Sequence, residues 1–399
     1  MLKLRHVRGL RAARPRVPPA GGGALRARRE WLLGWEPRLL ILISAVLVVF
    51  GLASIYAASS TLVERGRVAG TALVLDQVVG ALVGALLLLA AARIDLERVR
   101  RLSWPLLLTV GAMLVILVLP FTTAIAPRIN GSRRWLQLGV SVQVSELAKL
   151  AIVLWAAMLC AKKGTEVRRL RRGLLPILTV VGPLAALLLL QPDLSSAVEI
   201  GLLAMVVLFA AGARIGHFIL LGVVAMPVLW QRIEDVQYQL LRMATFLDPG
   251  ADRLGATYQV DQSLIGLGAG KLFGVGFGLG QQKLGFLPYP YSDFIFSTIG
   301  EEWGFVGVLF LIAMFSLFLA VALRIARQAG DPFRQYVAVG LAVMIGVDAF
   351  THMGVGLGIL PTTGLVLPFV SYGRSSLVVA MIATGLLINI GSRRRPAVA

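Results

Sequence analysis

The chain has 399 residues, 57% of them hydrophobic and only 15% charged, with a mean hydropathy of +0.82. Soluble domains are about one quarter charged, so this composition excludes a soluble globular enzyme, a disordered chain and a fibrous protein. Cys160 is the single cysteine, which excludes an intrachain disulfide scaffold. The net charge of +19, from 39 Lys and Arg against 20 Asp and Glu, points either to nucleic acid or to a membrane protein with basic loops on one side.

Residues 1–36 carry nine Lys and Arg, three prolines and the run Gly21-Gly22-Gly23. They read as a disordered basic tail, without the cleavage pattern of a signal peptide. Ten apolar segments follow, near 38–58, 72–92, 104–121, 143–161, 174–190, 194–211, 217–231, 295–323, 336–357 and 370–390. Several approach the ~20 residues that a spanning helix needs, and the fifth to seventh are short. The expected fold is all-α: a polytopic membrane bundle of about ten helices over 37–391. A short basic tail occupies 392–399, and one long extracytoplasmic loop, 232–294, precedes helix eight.

With the N-terminus inside, the cytoplasmic stretches hold 26 Lys and Arg and the opposite side holds 10. The charge is therefore mostly topology. Both termini are expected in the cytoplasm of a cytoplasmic (inner) membrane protein, and no nucleic-acid partner is expected. The long loop carries Tyr238, Phe246, Tyr258, Phe273, Phe277, Phe286, Tyr289 and Tyr291, which argues for a folded, membrane-hugging segment. No internal repeat is visible, which weakens a transporter built from inverted repeats.

Ionisable residues inside a membrane are costly and mark functional sites by default. Glu146 and Lys149, three apart at the start of segment four, share a helix face and can pair; they serve either as a structural ion pair or with Lys149 on an anionic ligand. Arg133, Arg134 and Trp135 suit either an interfacial anchor or a phosphate clamp. Asp193 fits a cap for the sixth helix. Asp348 and His352 read as a buried hydrogen-bonded pair, and Asp76, Gln77 and Glu199 as polar positions satisfied by packing or hydrogen bonding inside the bundle. Seven glycines lie between Gly266 and Gly280 without the register of a phosphate loop, which suggests flexible backbone near a ligand or a re-entrant turn. Asp293 stands at the mouth of segment eight, either as an N-cap or as a general base kept ionised by the helix end. The Pro/Gly-rich stretch from Leu360 to Ser376 suggests irregular backbone lining a cavity.

Taken together, Asn130-Gly131 with Arg134-Trp135, Gln143 to Lys149, Gln191-Pro192-Asp193-Leu194, Phe246-Leu247-Asp248-Pro249, the glycine stretch, Asp293-Phe294-Ile295-Phe296, Gly300-Glu301-Glu302, Leu367-Pro368-Phe369 and Ser371-Tyr372-Gly373 resemble the SEDS (shape, elongation, division and sporulation) family of FtsW and RodA membrane proteins. The resemblance covers residues 38–391 and is nearer the division type than the elongation type. It implies peptidoglycan glycosyltransfer: lipid II polymerised into a growing glycan strand at the outer membrane face by inverting displacement. It places the catalytic aspartate at Asp293 and the pyrophosphate contacts at Arg134 and Lys149, with Glu146, Asp193, Glu302 and Ser371 in support. It implies a class B penicillin-binding transpeptidase and divisome or elongasome proteins as partners. No organic cofactor is implied; a divalent cation, Mg2+ or Mn2+, could share the phosphate role, although the sequence has no metal-ligand spacing. The chain departs from the family at Val144, at Tyr289 to Ser292 and at Arg374. The rival readings are a lipid II flippase, whose sites must be reachable from both sides, and a non-catalytic scaffold, which needs no carboxylate at 293.

Overall fold

A computed structural model describes residues 34–64, 70–128, 132–137, 139–235, 246 and 257–392. The basic tails expected at 1–36 and 392–399 therefore lie almost wholly outside the described residues. So do Asn130-Gly131, Leu247-Asp248-Pro249, Tyr238 and much of the first half of the long loop.

The first helix, α1 (Trp35–Glu64), is followed by α2 (Gly70–Arg93) and α3 (Leu96–Val118). A two-stranded hairpin comes next, with β1 (Trp135–Gln137) antiparallel to β2 (Ser141–Gln143) and Trp135 opposite Gln143. Then follow α4 (Val144–Lys163), α5 (Leu174–Leu190), α6 (Leu194–Ala210) and α7 (Ile215–Asp235). The last four helices are α8 (Tyr258–Gly270), α9 (Ile295–Arg327), α10 (Pro332–Gly356) and α11 (Arg374–Ser392). Among the described residues seven helices are long and apolar enough to cross a membrane, and α5, α6 and most of α7 are shorter apolar helices. These are the ten expected segments, in the expected order.

Local chemistry sets several boundaries. Asp95, Asp193 and Asp331 cap α3, α6 and α10, each carboxylate accepting a backbone N–H of the first turn. Pro332 opens α10, where its missing N–H costs nothing. The first turn of α3 is charged and still helical, so that helix starts at Leu96 rather than near 104.

Sorting by burial follows the polar residues. In α4, 78% of the most apolar window is buried, against 17% in α2. Consequently α4 is the central helix, packed on α3, α6 and α10, while α2 lies along α11 with its other face outward. The apolar outer faces need lipid, since no water-soluble arrangement would leave Leu82, Leu86, Val223 and Phe209 so exposed.

Two features add to the expected helical bundle. A short β1–β2 hairpin lies between α3 and α4. The stretch 232–294 is also more than a loop: α7 continues to Asp235, and α8 and a 3-10 turn at Gln282–Leu284 occupy its later part.

Candidate active site

Several hydrogen bonds that link separate segments gather near the hairpin and the turn before α9. There Gln143 N–H donates to Ser375 Oγ (3.0 Å), Ser195 Oγ donates to the Thr363 carbonyl (3.1 Å) and Ser371 Oγ donates to the Ser292 carbonyl (2.8 Å). The hairpin, the start of α6, the turn before α9 and the loop before α11 are thereby joined.

Asp293 is half-buried in the turn that precedes α9, and Ser292 Oγ donates to its Oδ1 (3.2 Å). It is not the helix cap: Phe294 holds that position, without a side-chain cap bond. Capping therefore does not explain the carboxylate. The turn is fixed from outside by Ser371 and by Tyr372, whose N–H donates to the Tyr291 carbonyl (2.9 Å). Ser371 Oγ also accepts from Leu367 N–H (2.9 Å), so it ties two loops at once. The Tyr291 and Tyr372 rings meet edge to face, 5.8 Å between centroids. Burial raises both phenols above their ordinary value. Tyr372, which also donates to Asp76 (2.8 Å), is pushed up to about 12.

Arg134 immediately precedes β1. Its Nη2 donates to the Pro192 carbonyl (2.5 Å), and Nη1 lies 3.7 Å from Asp193 Oδ1. The guanidinium is partly open, 28% exposed, and its Nε and Asp193 Oδ2 are buried without a hydrogen-bond partner. Asp193 also caps α6 through Ser196 N–H (3.3 Å). An arginine steadied on one side and open on the other is suited to an anionic ligand.

Lys149 is placed differently from a residue that greets a ligand. It is 1% exposed, and its Nζ lies 2.8 Å from Asp348 Oδ2, 3.0 Å from Glu146 Oε1 and 3.3 Å from Glu199 Oε1. The expected Glu146–Lys149 pair is present, but two further carboxylates, from α6 and α10, complete it. The ammonium is engaged by the bundle itself, so its geometry supports a positioning role more directly than contact with pyrophosphate. His352, one turn along from Asp348, faces away: its Nδ1 is 2.8 Å from the Leu365 carbonyl.

Glu302 belongs to another arrangement. It pairs with Lys283 Nζ (2.7 Å), which also donates to the Ala57 carbonyl on α1 (3.0 Å). Beside it, Glu301 Oε1 accepts Gln281 N–H (2.7 Å). The glycine stretch serves close approach here rather than a free loop. A Cβ on Gly270 would sit 1.9 Å from the Gly300 carbonyl, and one on Gly274, at φ +82°, 2.1 Å from that of Glu302. Gly304, at φ +66°, breaks α9 where this segment docks.

Among the described residues no group of three or more His, Cys, Asp and Glu side chains is arranged to hold a metal ion, and the three carboxylates that gather on α4, α6 and α10 surround the Lys149 ammonium instead.

Hydrogen bonding inside the bundle was expected of Asp76, Gln77 and Glu199, but their partners, and the pairing of Asp348 with Lys149, were not legible in the sequence. Their signal was present, because each is an intramembrane polar residue, but nothing in the sequence pairs residues so far apart along the chain.

Known proteins share this sequence pattern and fold. The family model FTSW_RODA_SPOVE, described as cell cycle protein, matches residues 37–396. The chain is 38% identical to a probable peptidoglycan glycosyltransferase FtsW of Trichlorobacter lovleyi, over 92% of this chain and 95% of the relative. It is 34% identical to the stage V sporulation protein E of Bacillus subtilis, over 90% and 97%. Among solved structures, a chain from a peptidoglycan synthase complex that coordinates polymerization and crosslinking superposes with TM-score 0.72 at 29% identity, covering 90% of this chain and 98% of that one. The rod shape determining protein RodA of Thermus thermophilus gives TM-score 0.66 at 27% identity, covering 92% and 98%. The central charge cluster, the fixed turn before α9 and these matches across nine tenths of its length together place the chain in the FtsW/RodA/SpoVE family of polytopic membrane proteins.

Proposed function

We propose that this protein is a peptidoglycan glycosyltransferase of the division type, which polymerises lipid II at the outer face of the cytoplasmic membrane. The observation that carries this reading is Asp293: a half-buried carboxylate, spared from helix capping, in a turn fixed by Ser371 and Tyr372. In the reaction an acceptor sugar hydroxyl attacks the anomeric carbon of the donor. Its oxygen forms the new glycosidic bond as the bond to the lipid pyrophosphate breaks, and the pyrophosphate departs with the electron pair. Asp293 takes the hydroxyl proton. Arg134 balances charge growing on the pyrophosphate, which preorganised donors do most effectively. Lys149, with Glu146, Glu199 and Asp348, holds α4, α6 and α10 in register behind them. Such an in-line displacement inverts the anomeric configuration.

The excess of Lys and Arg in one set of loops supports cytoplasmic termini and an outward site. A class B penicillin-binding transpeptidase is the proposed partner, because the strand made here needs crosslinking and a structural neighbour comes from a complex that performs both steps. The test is lipid II polymerisation by the purified protein in vesicles, with and without such a transpeptidase, read as glycan strands on a gel. Strands are expected. Lipid II that crosses the bilayer without being polymerised would favour the flippase reading.

A further inference from the structure

Asp76 and Gln77 sit on α2, the least buried of the seven long apolar helices, yet Gln77 is only 1% exposed. Its side-chain amide is satisfied at both ends by backbone nearly three hundred residues away. Nε2–H donates to the Ser371 carbonyl (3.0 Å), and Oε1 accepts Gly373 N–H (3.1 Å). The amide thus acts as a peptide group supplied by a side chain, docking an irregular segment that has no strand or helix of its own to satisfy it. Asp76 completes the grip, with its Oδ2 accepting from Tyr372 Oη (2.8 Å) and its Oδ1 3.0 Å from Arg374 Nη1. Gly80, one turn on, leaves room for the Arg374 stem, since a Cβ there would meet Arg374 Cγ at 3.0 Å.

The gripped segment is the one that holds the catalytic turn. Ser371 Oγ and Tyr372 N–H bond the carbonyls of Ser292 and Tyr291, the two residues immediately before Asp293. A continuous path of hydrogen bonds therefore runs from α2 through 371–373 to the backbone that carries the carboxylate. We propose that Gln77, assisted by Asp76, is a positioning residue that sets the placement of the Asp293 carboxylate. This rests on the proposed role of Asp293 as general base. Gln77 touches neither substrate nor reacting atoms; it acts through Ser371 and Tyr372.

The test uses the full chain in vesicles. Gln77→Leu keeps the bulk and removes both bonds. Its kcat for lipid II is expected to fall about 10- to 100-fold, the scale of a misplacement near 1 Å, with KM changed less than about threefold. Hydrogen exchange of peptides spanning 289–294 should speed up, while exchange across α4 stays as in wild type. In the Asp293→Asn background Gln77→Leu should add no further loss of turnover. Unchanged exchange at 289–294 overturns the proposal, as does an equal loss of kcat in the presence and absence of the Asp293 carboxylate. If Gln77→Leu does not insert, Gln77→Glu decides. Its protonated acid supplies one donor and one acceptor as the amide does, whereas its carboxylate lacks the donor, so 289–294 should exchange as wild type at low pH and faster at high pH. Exchange matching wild type at every pH overturns the proposal. Because exchange is read without substrate, a protein that fails to polymerise lipid II sinks the proposed function and leaves the clamp measurable.

Discussion

Lys149 on α4 reaches Asp348 on α10 with its Nζ 2.8 Å from Oδ2 and 3.1 Å from Oδ1, both side chains buried in the centre of the bundle. Glu146 and Glu199 approach the same ammonium, so one cation joins three helices. In a medium without water this is the main way to keep such groups buried, because isolated charges there are prohibitively costly.

Removing the cation should therefore act first on the bundle. Lys149→Ala leaves three carboxylates without their shared partner, and breaking a buried pair from one side typically costs about 3–5 kcal/mol. A marked drop in thermal unfolding temperature in detergent is expected, accompanied by lost turnover. Asp348→Asn, which retains an acceptor for Lys149, should be milder. A Lys149→Ala protein as heat-stable as wild type would show that the cluster is not what holds α4, α6 and α10 together.

Arg134 predicts the opposite pattern. Its guanidinium is partly open and leans on Pro192 and Asp193. Arg134→Ala should leave the unfolding temperature near wild type and reduce turnover at limiting lipid II by roughly tenfold or more, the scale of one lost charge-assisted hydrogen bond. Arg134→Lys should recover only part of this, since a single ammonium cannot reproduce the planar fork. Wild-type turnover by Arg134→Ala at limiting substrate would remove the pyrophosphate role.

The pH dependence has a defined sign. Burial and the bond to Asp76 hold the Tyr372 proton up to about 12, against an ordinary value of 10. Below pH 10 the phenol is neutral in both folded and unfolded chains, and its contribution to stability is complete. Between 10 and about 12 only the unfolded chain ionises, so that contribution is lost as pH rises. The stability difference between wild type and Tyr372→Phe should be constant below pH 10 and shrink toward about pH 12, as followed by thermal unfolding. A difference that grows over that interval would contradict the sign.

Sidedness is open to direct labelling. Leu279 is exposed in the segment before α9, and the only native thiol, Cys160, is buried. Leu279→Cys in cells should react with a membrane-impermeant maleimide added from outside. Reaction only after the membrane is opened would invert the proposed orientation.

Much of this architecture was legible in the sequence because lipid imposes one rule over and over: about twenty apolar residues, then a break. All ten segments could be read that way, short α5 to α7 included. Asp193 could be read as a cap because capping is local, with a carboxylate and an N–H three residues apart. What stayed hidden was non-local. Gln77 and Ser371 are partners across 294 positions, and Lys149 and Asp348 across 199; only the packing of α2 on α11 and of α4 on α10 brings them together. The glycine stretch misled for a related reason, since its small residues serve contact with α9, which a single sequence cannot distinguish from flexibility. The β1–β2 hairpin was missed because three-residue strands carry almost no periodic signal.

The most direct measurement is lipid II polymerisation by Asp293→Asn in vesicles, with insertion and unfolding temperature checked in parallel. Asparagine keeps the shape and can accept the Ser292 hydrogen bond, but it cannot take the acceptor's proton. Since a general base contributes about 10²–10⁴-fold, the account predicts a properly inserted protein of wild-type stability whose glycan synthesis falls by that order. Glycan strands formed by Asp293→Asn within a few-fold of the wild-type rate would contradict the account at its centre.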